Sequence, residues 1–183
     1  MKQPTDRITK FITQLLMLAV LTCLAAPTLA EDIKPPFGIR HYDKGLAPDF
    51  SLQDMDGDTF ELKSARGHWV FLHFWASWCG PCKKEMPAVQ RLADIMQDQL
   101  QIVMINTAED EDTIFAFLAA INVSLNSFLD KDGLVTEAWK PRGLPTTFLI
   151  DPQGKIKYQA IGGRDWDKAE YLGFIRQLID TSN

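Results

Sequence analysis

Residues 69–75 (Trp-Val-Phe-Leu-His-Phe-Trp) form an almost unbroken apolar run. A strand that is apolar at nearly every position is covered on both faces, as in sheets flanked by helices. Shortly after it, residues 81–96 place Met86, Val89, Leu92, Ala93 and Met96 at three- and four-residue spacing, which predicts a helix with one buried face. Pro87 lies inside that segment, removes one backbone hydrogen bond and predicts a bend. Residues 100–105 predict a second buried strand, and residues 113–121 a helix. Glu109-Asp110-Glu111-Asp112 suits the first turn of that helix, and the run is otherwise read as a solvated face. Downstream, 127–130 predicts a short strand, Asp130-Lys131-Asp132-Gly133 a turn and 134–139 a short helix. Residues 146–150 and 155–161 bracket Asp151-Pro152-Gln153-Gly154 as a hairpin. A closing helix is predicted over 165–180, with Trp166, Ala169, Leu172, Ile175 and Ile179 as its apolar positions.

Upstream of the apolar run, residues 47–52 and 59–62 flank Asp54-Met55-Asp56-Gly57-Asp58 and predict a β-hairpin. Residues 31–45, with Pro35-Pro36 and Gly38, show no apolar period and predict an extended linker. There is no internal repeat. Strand-helix-strand followed by hairpin and helix indicates an α/β sandwich with a mixed sheet, placed in one domain over 46–183.

The first thirty residues differ in kind. Lys2, Arg7 and Lys10 precede an apolar stretch over 15–26, and Thr28-Leu29-Ala30 offers small residues at a cleavage position. Residues 1–30 therefore predict a secretory signal peptide, the alternative being a retained membrane anchor. The apolar core is shorter than the roughly 20 residues a spanning helix needs, which favours cleavage. Cys23 would leave with the segment; Thr22 before it is not the small residue that lipid modification of Cys23 would favour. Three basic residues and one acidic residue leave too, taking the formal charge from −5 to −7. So acidic a chain is a poor candidate for nucleic acid. Export points to the periplasm, where an exposed cysteine pair rests as a disulfide unless electrons are supplied.

That pair is Cys79-Gly80-Pro81-Cys82, at the junction between the apolar run and the helix. Pro81 suits an early helical position. A thiol at a helix N-terminus meets unsatisfied amides and the positive end of the dipole, so its thiolate is favoured. Cys79 is the expected nucleophile, and Cys82, one turn in and less accessible, the resolving thiol. A zinc site would need two more ligands; Cys23, His41, His68 and His73 supply no ligand pair. A Cu(I)-binding or metallochaperone-docking module built on the two thiols is the rival from another class.

Three separated stretches resemble the thioredoxin fold, and within it the exported TlpA-like group with its ResA-like and CcmG/DsbE-like members. They are Ala47-Pro48-Asp49-Phe50 with its hairpin, Phe74-Trp75-Ala76-Ser77-Trp78-Cys79-Gly80-Pro81-Cys82-Lys83-Lys84-Glu85-Met86-Pro87, and Gly143-Leu144-Pro145-Thr146-Thr147-Phe148-Leu149-Ile150-Asp151. The resemblance implies a central mixed sheet flanked by helices, an N-terminal β-hairpin and a central inserted segment. It implies a thiol:disulfide oxidoreductase that needs no cofactor beyond its own disulfide. Its partners would be disulfide-bearing client proteins and a membrane electron donor of the DsbD/CcdA type, and the protein would act as a monomer. The alternative within enzymes is a disulfide oxidase or isomerase.

By the same resemblance Pro145 is the cis-proline facing the cysteines, and the Leu144 backbone, Trp78, Gly80 and Pro81 form the substrate-binding surface. Trp78 is otherwise ordinary core packing. Glu85 matches an acidic residue of ResA-like members, one turn after Cys82, which buffers the thiols and takes a proton from Cys82; an ordinary exposed glutamate is the alternative. His73 stands where cytosolic thioredoxins carry a buried Asp, and is expected to be neutral and bonded to a carbonyl. CcmG-like members carry an acidic residue where this chain has Thr146, so general disulfide reduction is implied ahead of dedicated reduction of apocytochrome c in cytochrome c maturation. Peroxiredoxins carry a Thr three residues before the nucleophile, where this chain has Ala76, which sets a peroxidase aside.

Overall fold

The computed structural model describes residues 33–182. The expected signal segment and Cys23 lie outside them. At the centre is β4 (Trp69–Trp75), buried along its whole length. Side chains alternate across a strand. Trp69, Phe71 and Trp75 therefore enter one core, and Val70, Leu72 and Phe74 the other.

On one side β4 pairs in parallel with β5 (Leu100–Thr107), and β5 in parallel with β6 (Phe128–Asp130). On the other side come β7 (Thr146–Ile150), β8 (Ile156–Ile161) and β1 (Ile39–His41), each antiparallel to its neighbour. The result is a mixed sheet of order β1-β8-β7-β4-β5-β6. A separate hairpin joins β2 (Ser51–Gln53) to β3 (Thr59–Glu61). Helices α1 (Gly80–Met96), α2 (Glu111–Ala120) and α4 (Ala169–Asp180) share a core with the odd-numbered residues of β4. The short α3 (Leu134–Trp139) covers the opposite face through Trp139, beside Phe50 and Leu62.

The α1 stripe is as expected at Met86, Val89, Leu92 and Met96, but Ala93 is only half-buried, and Cys82, Glu85 and Ala88 join the buried face. Asp110 caps α2 by accepting from the Thr113 amide at 2.8 Å. Two expectations need correction. Within the described residues 33–45 the chain turns at Phe37-Gly38, and Ile39–His41 is an edge strand of the main sheet rather than part of a linker. The last helix begins at Ala169, not at 165, because Asp165 to Lys168 close a turn with the Lys168 amide on the Asp165 carbonyl. Trp166 before the helix and Ile175 on it are buried as expected, but the rest of the buried face is Tyr171, Phe174 and Leu178, while Leu172 and Ile179 are half-buried and Ala169 is exposed, because the aromatic rings take the core positions.

The segment between β5 and β7 is tied down by Asp130, which is fully buried. Its carboxylate accepts from the amides of Val135 and Thr136 and from the Thr136 hydroxyl, starting α3 after the left-handed Gly133. Removing this acceptor leaves the part-buried amides of Val135 and Thr136 without their partner, while the Thr136 hydroxyl keeps Thr107 Oγ1 at 3.1 Å. Asp130→Ala is therefore expected to lower stability by about 3 kcal/mol. Urea unfolding should show this as a lower midpoint at unchanged slope.

Candidate active site

β4 ends at Trp75, and the chain turns once, with the Cys79 amide on the Ala76 carbonyl, before α1 begins. Cys79 is the N-cap of α1: its Sγ accepts from the Cys82 amide at 3.2 Å. Pro81 sits in the first turn, where no amide partner is lost. Cys79 and Cys82 are joined as a disulfide. Both are buried, Cys82 completely and Cys79 with 4% of its surface exposed. A thiolate at Cys79 would keep the Cys82 N–H as its donor.

Around this ring Trp78, Gly80 and Pro81 are exposed. Trp78, at 71% exposure, is a surface side chain and not core packing. The Leu144-Pro145 peptide is cis. β7 pairs Thr146 with Phe74, and one further step of that register sets Pro145 opposite Trp75, where the cysteine loop departs. Pro145 is buried and Leu144 half-buried.

The loop is held from the β5 side by a residue the sequence did not single out. Glu109 accepts from the Ser77 amide at 2.7 Å, from the Ser77 hydroxyl, and from Asn106 Nδ2 at 2.7 Å. Asn106 is the β5 neighbour of Trp75. The acidic run is thus not wholly a solvated face: its first member anchors the residue two before Cys79. No local periodicity marks Glu109, because Ser77, the residue it anchors, lies 32 residues away.

Beneath the ring, Glu85 and His73 meet. Glu85 is only 2% exposed, so the alternative of an exposed helix glutamate is overturned. Its Oε1 accepts from the Trp166 indole N–H and from the Arg164 amide, the latter at 3.3 Å. The loop before α4 can pass this close because residue 163 is glycine; a Cβ there would lie 3.1 Å from the Pro81 carbonyl oxygen. His73 is fully buried, with Nδ1 2.9 Å from Thr147 Oγ1, a hydroxyl and not the expected carbonyl. Its Nε2 lies 3.8 Å from Glu85 Oε2. Burial pushes the Glu85 carboxyl up to about 8, against the Trp166 indole and the Arg164 charge and amide, which favour the ionised form. Burial, helped by the Arg164 charge, pushes the His73 imidazole down to about 3. At neutral pH the two face each other uncharged. A cleft of about 360 Å³ between the start of α1 and the loop before α4 reaches Glu85 from solvent.

Among the described residues no three His, Cys, Asp or Glu side chains converge as a metal site. The chemistry available is that of two sulfurs and one buried acid. Residues 44–159 match the model of the AhpC/TSA family. The chain belongs to that family. The thiol-disulfide oxidoreductase ResA of Bacillus subtilis (strain 168) is 40% identical over 142 residues, which is 76% of this chain and 78% of the relative. Among solved structures, a Chlorobium tepidum protein provisionally named thiol:disulfide interchange protein DsbE superposes with a TM-score of 0.68 at 30% identity, covering 76% of this chain and 99% of that one. StoA of Bacillus subtilis gives 0.61 at 26%, covering 70% and 98%. This AhpC/TSA-family chain thus has the thioredoxin-like fold and is a thiol-disulfide oxidoreductase.

The buried pair has a signature in stability. An unfolded Glu85 loses its proton near its ordinary 4.5, whereas the folded protein keeps it to about 8, so this group's contribution is complete below 4.5 and is lost as pH rises to about 8. His73 runs the other way: its contribution is lost as pH falls from 6.5 towards about 3. The two offset each other between 4.5 and 6.5, and Glu85 alone acts above that. Between pH 6.5 and 8 the native protein is expected to lose about 2 kcal/mol that Glu85→Gln does not lose. Urea unfolding of both proteins at pH 6, 7 and 8 checks this; parallel curves would mean that Glu85 ionises normally in the fold.

Proposed function

We propose that this oxidoreductase is exported and reduces disulfides in client proteins by dithiol-disulfide exchange. The observation that carries the reading is the asymmetry of the two sulfurs. Cys79 caps the helix beneath an exposed tryptophan, and Cys82 is wholly buried one turn behind it. In the reduced protein the Cys79 thiolate attacks a client disulfide, and the departing client sulfur takes a proton. Cys82 then loses its proton to Glu85 in the fraction of molecules in which that carboxyl, pushed up to about 8, is ionised, and its thiolate attacks Cys79 Sγ. The bond between Cys79 and the client breaks, the client sulfur leaves with the electron pair and is protonated, and the enzyme is left as the disulfide. A general base beside the resolving thiol contributes about 10²-fold or more when its pKa lies near the working pH.

Clients dock along Trp78, Gly80, Pro81 and the Leu144-Pro145 edge, and electrons return from a membrane donor of the DsbD/CcdA type. A broad client range fits better than one dedicated to apocytochrome c. Thr146, after the cis-proline, is buried with its hydroxyl on the Gly143 carbonyl and presents no acidic group. A peroxidase reading gains nothing from family membership, because Ala76 brings no hydroxyl to the nucleophile.

Two measurements test this. Cys82→Ser is expected to accumulate a mixed disulfide with client protein while Cys79→Ser accumulates none; the reverse pattern would exchange the two roles. Equilibration of the Cys79/Cys82 pair with thiol-disulfide buffers should give a potential around −270 mV, that of a reductant. A value near about −120 mV would make the protein an oxidant.

A further inference from the structure

His73 Nε2 and Glu85 Oε2 are both buried, and neither has any other hydrogen-bond partner. They face each other across the contact between β4 and α1 at 3.8 Å, a gap that a carboxyl movement of about 1 Å turns into a hydrogen bond. Glu85 Oε1 is already occupied by two donors, so an acid proton on this carboxyl belongs on Oε2. A buried O–H needs an acceptor, and His73 Nε2 is the nitrogen in front of it. Nε2 can accept only if the imidazole proton sits on Nδ1, and Thr147 Oγ1 stands 2.9 Å away to receive it.

We propose that Thr147 and His73 are positioning residues for the resolving step. Thr147 fixes the imidazole tautomer, and His73 holds the acid proton of Glu85, so that together they set the pH at which Glu85 changes from giving Cys82 a proton to taking one. This rests on the reading of Glu85 as the proton acceptor for Cys82. The other ionisable groups round the pair are Cys79, Cys82 and Lys84 at the start of α1, Arg164, Asp165 and Lys168 before α4, and Tyr171 on it. Arg164 favours ionised Glu85 and Asp165 opposes it. β7 brings to His73 the Thr147 hydroxyl, and β5 pairs with it through Met104. Among the described residues the acceptor aimed at the carboxyl is therefore His73 Nε2, and its hydrogen-bond polarity can be reversed by substitution.

His73→Gln places an amide where the imidazole was, able to donate to Oε2 and so favour the carboxylate. Thr147→Val keeps the shape of the core but releases the tautomer, letting Nε2–H donate to Oε2 with the same sign. The test is a stopped-flow reaction of the fully reduced protein with 5,5′-dithiobis(2-nitrobenzoate). The first equivalent of nitrothiobenzoate reports attack by Cys79 and the second reports resolution by Cys82. In the native protein the second rate is expected to inflect with pH where Glu85 ionises. Both variants should move that inflection down by about one pH unit, a tenfold change in proton affinity. Glu85→Gln should abolish it. An inflection that stays put in both variants, or a loss of rate equal at every pH, overturns the role of His73 and Thr147 while leaving Glu85 in place. An inflection that survives in Glu85→Gln overturns the reading of Glu85 itself. If His73→Gln does not fold, Thr147→Val alone decides.

Discussion

A histidine at the centre of a strand covered on both faces is the constraint from which the site follows. An imidazole there is closed off from bulk solvent, so its two nitrogens look to neighbours. The β4–β7 register answers the first, setting Thr147 directly opposite His73. The second points out of the sheet towards α1, where the helix presents Glu85 on an otherwise apolar face. Burying that carboxyl in turn demands donors, which come from Trp166 and the Arg164 amide. They reach it only because the loop after β8 runs against the first turn of α1, the approach that Gly163 permits. The entry to α4, the edge packing of Trp166 on Phe71 at 4.8 Å and the cleft beside Pro81 and Glu85 are consequences of satisfying one polar position.

What could be read from the sequence was what local pattern encodes. β4 is legible because seven consecutive residues carry it, and α1 because its stripe repeats through four turns. The cysteine pair is legible because strand end, proline and thiols are contiguous. β1 was not legible: three residues at a sheet edge, between a proline pair and a glycine turn, gain their order wholly from β8, more than a hundred residues away. Trp166 looked like the first turn of α4 because it continues the spacing of that helix; the carboxyl that holds it is 81 residues upstream. Glu109 is the same case. An acidic run before a helix has a local explanation, and Asp110 satisfies it as the cap, so nothing in the run sets its first member apart. His73 could be seen as buried, but its partners lie on two other elements, and sequence offers no measure of either distance.

The buried acid also bears on Cys79. A helix start stabilises a negative charge by about 0.3–1 kcal/mol, up to about 2 in favourable settings. An ionised Glu85 would work against this. Six residues along a helix is a rise of about 9 Å. Two unit charges about 9 Å apart at an effective dielectric near 20 repel by about 2 kcal/mol, as much as the helix start supplies. A carboxylate at this position would therefore cancel the reason for placing Cys79 at the N-cap. Holding Glu85 protonated through neutral pH, by burial and by facing an imidazole that stays neutral, leaves the helix start unopposed. The stability that this burial costs above pH 6.5 is the counterpart of a reactive Cys79. On the proposed mechanism one carboxyl thus serves both sulfurs: uncharged, it spares the thiolate that attacks; ionised, it receives the proton of the thiol that resolves.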